Sequence, residues 1–307
     1  MNNRDIIYTK NDLNTYDYFC DFASQVYYEE NPSNTKVCFD DLKISKFNST
    51  ELDKSIFLSV SNEYLIAIKN FSNVFNSLIK YGRDHRGLMK LFDGNEISTI
   101  PQLDSLIEPI LDLLLPIIER EIVGFYLSPW YIGAQRTPVR PPNPIDDNTS
   151  WQWHYDAVPR GTFKLFIYLS DVDEESAPFT ILTDQSGAPV LRDANDWKYI
   201  TKDEKNHNQI NEKRGIESRI PQKEIDALKS QGYNEVGVHL PAGSFLVWNV
   251  NHIHKATAGK KRHRDILMIQ LRPTHKKPES YWYGSNARQH ATKWLMDWWE
   301  MDKKLHR

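Results

Sequence analysis

The stretch SWQWHYDAVPRGTFKLFIYLSDV, residues 150–172, holds a histidine and a carboxylate two positions apart, His154 and Asp156. In an extended segment, residues i and i+2 point to the same face. An imidazole nitrogen and a carboxylate oxygen would then sit side by side, as two corners of a metal site, an acid–base couple or two unrelated surface groups. Taken alone the spacing is common by chance. A second segment, PAGSFLVWNVNHIHKATAGKKRHRDILMIQLRP at 241–273, adds His252 and His254 about 100 residues further on, then Arg262, Arg264 and Arg272. Two imidazoles and one carboxylate can hold one triangular face of an octahedral metal and leave three positions for other ligands.

That donor set is the facial arrangement of non-haem Fe(II) oxygenases, whose open positions take a co-substrate and O2. An arginine leading a strand suits the same chemistry. A dicarboxylic co-substrate such as 2-oxoglutarate needs its distal carboxylate held, and a guanidinium does so with two parallel charge-assisted hydrogen bonds. On residue type alone, both histidines and all three arginines of the second segment remain open.

The elements that must position these groups are strands. GFYLSPWYIG, FKLFIYLSDV, PFTILTD, GVHLPAGSFLVWN and RDILMIQLRP are short aromatic and β-branched runs between turn residues, and seven or eight strands fit between residues 124 and 273. The first 122 residues read as mostly helical. Tyr16, Phe19, Cys20, Ala23, Val26 and Tyr27 recur at helical spacing, as do Tyr64, Ile68, Phe71, Phe75, Leu78 and Ile79. Pro101 is placed to open a further helix that Pro109 and Pro116 should kink. The polar run 184–235 reads as an insertion, a lid or a solvated loop, with a short helix from Pro221 to Gly232. The tail 274–307 predicts a helix with an apolar stripe of Trp294, Leu295, Trp298 and Met301, which packs on its own protein or forms a homodimer. The simplest organisation is one domain over 1–307: helices over 1–123, a β core over 124–273 and the C-terminal helix.

Composition narrows the function classes. The 307 residues carry 38 Lys+Arg against 41 Asp+Glu, a net charge of −3, which offers no electrostatic case for nucleic acid or an anionic membrane as partner. No run of about 18 apolar residues is present, and the N-terminus lacks the apolar core of a signal peptide. Two cysteines, Cys20 and Cys38, make neither a disulfide framework nor a zinc site, so the expected compartment is the cytoplasm.

The sequence resembles the Fe(II)/2-oxoglutarate-dependent dioxygenases, most closely the phytanoyl-CoA dioxygenase-like branch, over roughly residues 124–273. The resemblance is carried by the W-H-x-D element Trp153, His154, Tyr155 and Asp156, the strand KLFIYLSDV, and the turn SAPF at 176–179. It continues in a glycine eleven residues before the distal histidine and an arginine ten residues beyond it. Counting from Gly243 selects His254 over His252, and counting on selects Arg264 over Arg262 and Arg272. Ser244 stands where the family usually has aspartate, and TDQSGAPV at 183–190 does not match the family's P-G-S-H segment.

The resemblance implies a double-stranded β-helix (jelly-roll, cupin-like) core flanked by helices, with Fe(II) held by His154, Asp156 and His254. It implies 2-oxoglutarate on Arg264, O2 as oxidant, and hydroxylation of an unactivated C–H bond of a small molecule with release of succinate and CO2. Related halogenases replace the carboxylate with a small residue, so Asp156 points to oxygen rather than halide transfer. Lys164, inside an apolar strand, is a second candidate contact to the co-substrate, though its chain could equally reach to the barrel's edge. Thr257 is a weaker candidate for the same role. Arg136, Arg140 and Arg160 would suit an anionic substrate if they converge on the mouth, and Trp153 is a candidate pocket wall. Alternatives are a desaturase or cyclase of the same chemistry, a protein or amino-acyl hydroxylase, and a non-catalytic metal-binding β-barrel.

Overall fold

The computed structural model describes residues 10–37, 61–79, 89–93, 100–139, 150–156, 162–192 and 218–284. Cys38, Arg140, Arg160 and the tryptophan-rich tail lie outside the described residues. Four α-helices are described: α1 (Lys10–Glu30), α2 (Asn62–Leu78), α3 (Pro101–Ile118) and α4 (Gln222–Ser230). The strands are β1 (Met89–Asp93), β2 (Tyr126–Thr137), β3 (Phe163–Tyr168), β4 (Phe179–Thr183), β5 (Asn234–Val238), β6 (Phe245–Asn249), β7 (His254–Ala256) and β8 (Arg264–Thr274). They form two antiparallel sheets, ordered β1-β2-β8-β3-β6 and β5-β4-β7, an arrangement compatible with a cupin-like fold.

Strand alternation sorts the side chains of the five-stranded sheet. Phe163, Leu165 and Ile167 of β3, Phe245 and Val247 of β6, and Leu267, Ile269 and Leu271 of β8 share one apolar cluster with the helices. From the helices come Tyr64, Ile68, Phe71 and Phe75 of α2 and Leu103, Ile107, Ile110 and Leu114 of α3. The intervening residues Phe166, Tyr168, Leu246, Trp248 and Ile266 face the second sheet and cluster with Phe179, Ile181 and Val238. Both faces of the sheet are thus buried, which is why these strands read as nearly continuous apolar runs. At α2, Ser61 caps the helix by accepting the Tyr64 N–H.

Three details refine the sequence reading. The segment MKLFD forms β1 and pairs with β2, so the region before residue 123 is not purely helical. Pro109 and Pro116 both lie inside α3, which continues to Ile118 before passing into a π-helical turn, Glu119–Val123. The run 184–235 is not wholly set apart from the core. It contains α4, begins β5, and contributes residues 218–220 to a ladder with residues 153–155. Among the described residues no helix is long and apolar enough to cross a membrane.

The π-helical turn ends at Gly124 in the left-handed region (φ +70°), where a Cβ would fall 2.5 Å from the Tyr28 hydroxyl. Glu119, at its start, is buried and accepts two hydrogen bonds, from the Leu127 N–H (2.8 Å) and the Tyr281 hydroxyl (2.7 Å). Burial pushes its carboxyl from 4.5 up to about 7, against the opposing pull of those two donors. The fold therefore favours the protonated acid, and stability from this group is full below about pH 4.5 and falls as pH rises toward 7. Glu119→Gln keeps the shape and cannot ionise. The expected result is that denaturant unfolding at pH 5 and pH 8 shows a pH-dependent loss about 3 kcal/mol smaller than in the wild type. An unchanged pH dependence would show that Glu119 is ionised in the fold without cost.

Candidate active site

The segment 150–156 is held from both sides. His154 and His254 exchange backbone hydrogen bonds of 2.9 and 2.8 Å, and the Asp156 N–H donates to Val250 O at 2.9 Å. On the other side, Tyr155 N–H donates to Ser218 O and Ile220 N–H to Trp153 O, so Arg219 stands directly opposite His154. Directly opposed residues of an antiparallel pair project to the same face. The side chains of His254, His154 and Arg219 accordingly all line one cavity of about 410 Å³.

Within it the ligand atoms of His154, Asp156 and His254 lie within 4.8 Å of one another. Asp156 Oδ1 is 3.7 Å from His154 Nε2 and 3.9 Å from His254 Nε2. Each ring turns its Nδ1 to a backbone carbonyl, His154 to Gln152 O (2.8 Å) and His254 to His252 O (2.7 Å). A carbonyl only accepts, so Nδ1 carries the proton and each Nε2 presents a bare lone pair to the cavity. Burial keeps both rings neutral, lowering His154 to about 4 and His254 well below the usual histidine range. Packing fixes the His254 ring, with Trp248 edge-on at 4.4 Å and Phe179 at 5.5 Å. Burial alone would raise the Asp156 carboxyl. Lys164, close by and hydrogen-bonded to it, outweighs burial and holds the group well below the usual carboxylate range.

Lys164 and Arg264 line the same cavity, on neighbouring strands of the five-stranded sheet. Lys164 Nζ is hydrogen-bonded to Asp156 Oδ2, leaving Oδ1 to the two imidazoles. Arg264 is only 3% exposed. Its Nη2 donates to Thr137 Oγ1 (3.1 Å), while Nε and Nη1 are buried with no hydrogen-bond partner among the described residues. A buried guanidinium with two unanswered donors is costly unless an anion completes it.

Other candidates fall elsewhere. Register pairs Thr137 with Arg264 and Arg136 with Asp265, and successive pairs face opposite sides of the sheet. Arg136 therefore turns away from the cavity and makes a two-pronged ion pair with Asp265, both contacts 2.7 Å, with a further bond to Asn76. Thr257 shares a hydrogen bond of 2.6 Å with Thr180 and does not line the cavity. Trp153 neighbours His154 on a strand-like segment and so points the other way, into a cluster with Leu182, Ile220 and Ile253. His252 is buried outside the three-donor group, its Nδ1 without a hydrogen-bond partner among the described residues and its ring held neutral by burial, at about 4. Residues not singled out in the sequence complete the walls, chiefly Tyr131 and Gln135 of β2, Trp248, Met268 and Arg219. Strand alternation with Thr137 and Arg264 would have found Gln135 and Met268. Nothing local marks Arg219.

No family model matches the sequence, and no curated protein matches it. Similar solved structures include non-haem α-ketoglutarate-dependent enzymes. The epimerase SnoN from nogalamycin biosynthesis is 11% identical, with a TM-score of 0.35 over 70% of this chain and 75% of its own. The carbocyclase SnoK of the same pathway is 15% identical, with a TM-score of 0.42 over 70% and 77%. HygX from Streptomyces hygroscopicus, whose structure holds nickel and 2-oxoglutarate, is 12% identical, with a TM-score of 0.40 over 69% and 80%. The functional reading is carried by the site's own residues.

Proposed function

We propose that this chain is a non-haem Fe(II)- and 2-oxoglutarate-dependent oxygenase that hydroxylates a C–H bond of a small molecule, on a double-stranded β-helix formed by the two sheets. One observation carries the reading. A three-donor group able to hold a metal shares a cavity with a buried guanidinium that has two donors unanswered among the described residues. A metal site alone does not account for Arg264, and an acid–base couple accounts for neither Arg264 nor the second imidazole.

The residues fit the cofactor set. Two neutral imidazole nitrogens and one carboxylate oxygen suit a divalent first-row metal and leave half of an octahedron open. When bound, ferrous iron with 2-oxoglutarate supplies the oxidising power of O2: one oxygen atom goes to the substrate as hydroxyl, the other to the succinate that leaves with CO2. His154 and His254 would hold the metal through Nε2, their Nδ1–H bonds fixing ring orientation and tautomer. Asp156 would ligate through Oδ1 while Lys164 holds Oδ2, which favours one-oxygen coordination. Arg264 would receive the distal carboxylate, completing its empty donors. Aromatic side chains of Phe166, Phe179 and Trp248 form part of the cavity wall. Asp156 fills the position that halide transfer would need open, which favours oxygen transfer.

The test is anaerobic addition of 2-oxoglutarate to the Fe(II)-loaded protein, where a weak visible charge-transfer band is expected, followed by succinate release on admitting air. No band, together with His154→Ala binding iron as tightly as the wild type, sinks the reading.

A further inference from the structure

Lys164 reads in the sequence as a co-substrate contact or as a chain reaching to the barrel's edge, and the structure gives its ammonium other neighbours. Lys164 lies inside β3, paired with Trp248 of β6 on one side and with Gln270 of β8 on the other. Directly opposed residues project to the same face, so the ammonium and the indole are cross-strand neighbours, with Nζ 5.3 Å from the ring centroid. Trp248 is 1% exposed and packs edge-on against the His254 ring at 4.4 Å. One buried indole thus fixes the lysine head in relation to an imidazole of the three-donor group.

The other neighbour is Asp156. Its backbone N–H is tied to Val250 O, just past the end of β6, so ammonium and carboxylate are delivered by the same pair of strands. The two oxygens of the carboxylate are divided between partners. Oδ2 takes the Lys164 hydrogen bond, while Oδ1 lies 3.7 Å from His154 Nε2 and 3.9 Å from His254 Nε2. Both side chains of the ion pair are sheltered, 18% and 19% exposed, so their attraction exceeds its value in open water.

This arrangement works against metal affinity. The ammonium repels any cation arriving at Oδ1, and it occupies half of the carboxylate's donor capacity. What it secures is the open face. A carboxylate ligating through both oxygens takes two positions of an octahedron, and with two imidazoles it leaves two. Held to one oxygen it leaves three. A co-substrate that chelates through two atoms and an oxidant that takes one position need all three.

We propose that Lys164 is a positioning residue that holds Asp156 Oδ2 away from the metal, keeping the third open position free at a cost in metal affinity. The proposal rests on the metal site of the oxygenase reading, and it assigns Lys164 to the metal's carboxylate ligand rather than to the co-substrate.

The experiment uses the full-length protein without co-substrate, loaded with Mn(II), whose bound waters are counted by their effect on water-proton relaxation. Lys164→Met keeps the length of the chain and removes its charge. It is expected to bind Mn(II) on the order of tenfold more tightly, because the repulsion is gone. It is also expected to lose about a third of the bound-water signal, as one of three open positions closes. Lys164→Leu serves as a second uncharged variant with the same expectation, and Lys164→Arg should return both readings toward wild type. Circular dichroism checks the fold of each. A lysine that only supports the fold would do the reverse, with Mn(II) affinity falling on its removal. A lysine that holds the co-substrate would leave both Mn(II) readings unchanged and lower 2-oxoglutarate affinity alone. Either result overturns the proposal, as does tighter Mn(II) binding with no loss of bound water. The oxygenase reading fails separately, on the absence of the 2-oxoglutarate band from the Fe(II)-loaded wild type, and the Mn(II) readings decide the role of Lys164 whether or not that band appears.

Discussion

Asp156→Ala is expected to lower Fe(II) affinity by more than about a hundredfold and to abolish 2-oxoglutarate turnover. The size of the effect follows from charge as well as from a lost ligand. Asp156 is the only anion among the ionised groups lining the described cavity, and it offsets Lys164 directly. Without it a dication would have to enter beside an uncompensated ammonium, with only two neutral imidazoles to hold it. At short range and in reduced dielectric, that repulsion adds to the missing bond. Asp156→Asn separates the two contributions, since it retains an oxygen donor but not the charge. It is expected to fall between wild type and the alanine variant, closer to the latter. The measurement is anaerobic Fe(II) titration by calorimetry, with circular dichroism as a check on folding. Wild-type iron affinity in Asp156→Ala would remove the carboxylate from the metal site.

Arg264→Leu is expected to move two quantities in opposite directions. Affinity for 2-oxoglutarate should fall on the order of a hundredfold, because a charge-assisted two-pronged contact is lost. Iron affinity should change little, since Arg264 contributes no donor to the metal group. The ligand-free fold, however, should gain stability, on the order of 1 kcal/mol or more. The substitution removes a guanidinium that is 3% exposed and has two nitrogens unanswered among the described residues, and it leaves an apolar chain against Phe166. A purely structural arginine would behave in the reverse manner, losing stability on truncation. Arg264→Lys should recover only part of the affinity, as an ammonium is a point charge without the planar fork. Thermal melts of the free protein and 2-oxoglutarate titration of the metal-loaded protein check both halves. Unchanged 2-oxoglutarate affinity would mean that another cation, Arg219 or Lys164, holds the carboxylate.

Glu119 shows that a strongly shifted group is not by that fact a site. Its carboxyl is raised by burial, yet its two hydrogen bonds tie the π-helical turn to β2 and to Tyr281, among the residues that cluster with the helices. Its expected effect is on stability alone.

Much of the arrangement was legible in the chain. The strands β2, β3, β4, β6 and β8 carry concentrated β-branched and aromatic residues because both faces of their sheets are buried. β1 and β7 escaped notice: MKLFD lies in a stretch read as mostly helical, and the three residues of β7 are too short to show a period. The separation of His154 from Trp153 was available too. If alternate residues of an extended segment face the site, their immediate neighbour cannot, and Trp153 is packed among Leu182 and Ile253 accordingly.

By itself the sequence determined the chemical types and the local geometry: two donors two apart, a distal histidine, and an arginine opening a strand. These follow from backbone periodicity, which needs only nearest neighbours. The tertiary structure decided which charges have partners. Arg136 and Arg264 are both basic strand residues, but a register offset of one places Arg136 on buried Asp265 and leaves Arg264 facing the cavity. Arg219 lies 65 residues from His154 in a polar stretch without periodicity, and only the ladder between 153–155 and 218–220 brings it to the metal site. Electrostatic roles are set by what lies across a strand pair, and strand pairing is a long-range property that no local pattern encodes.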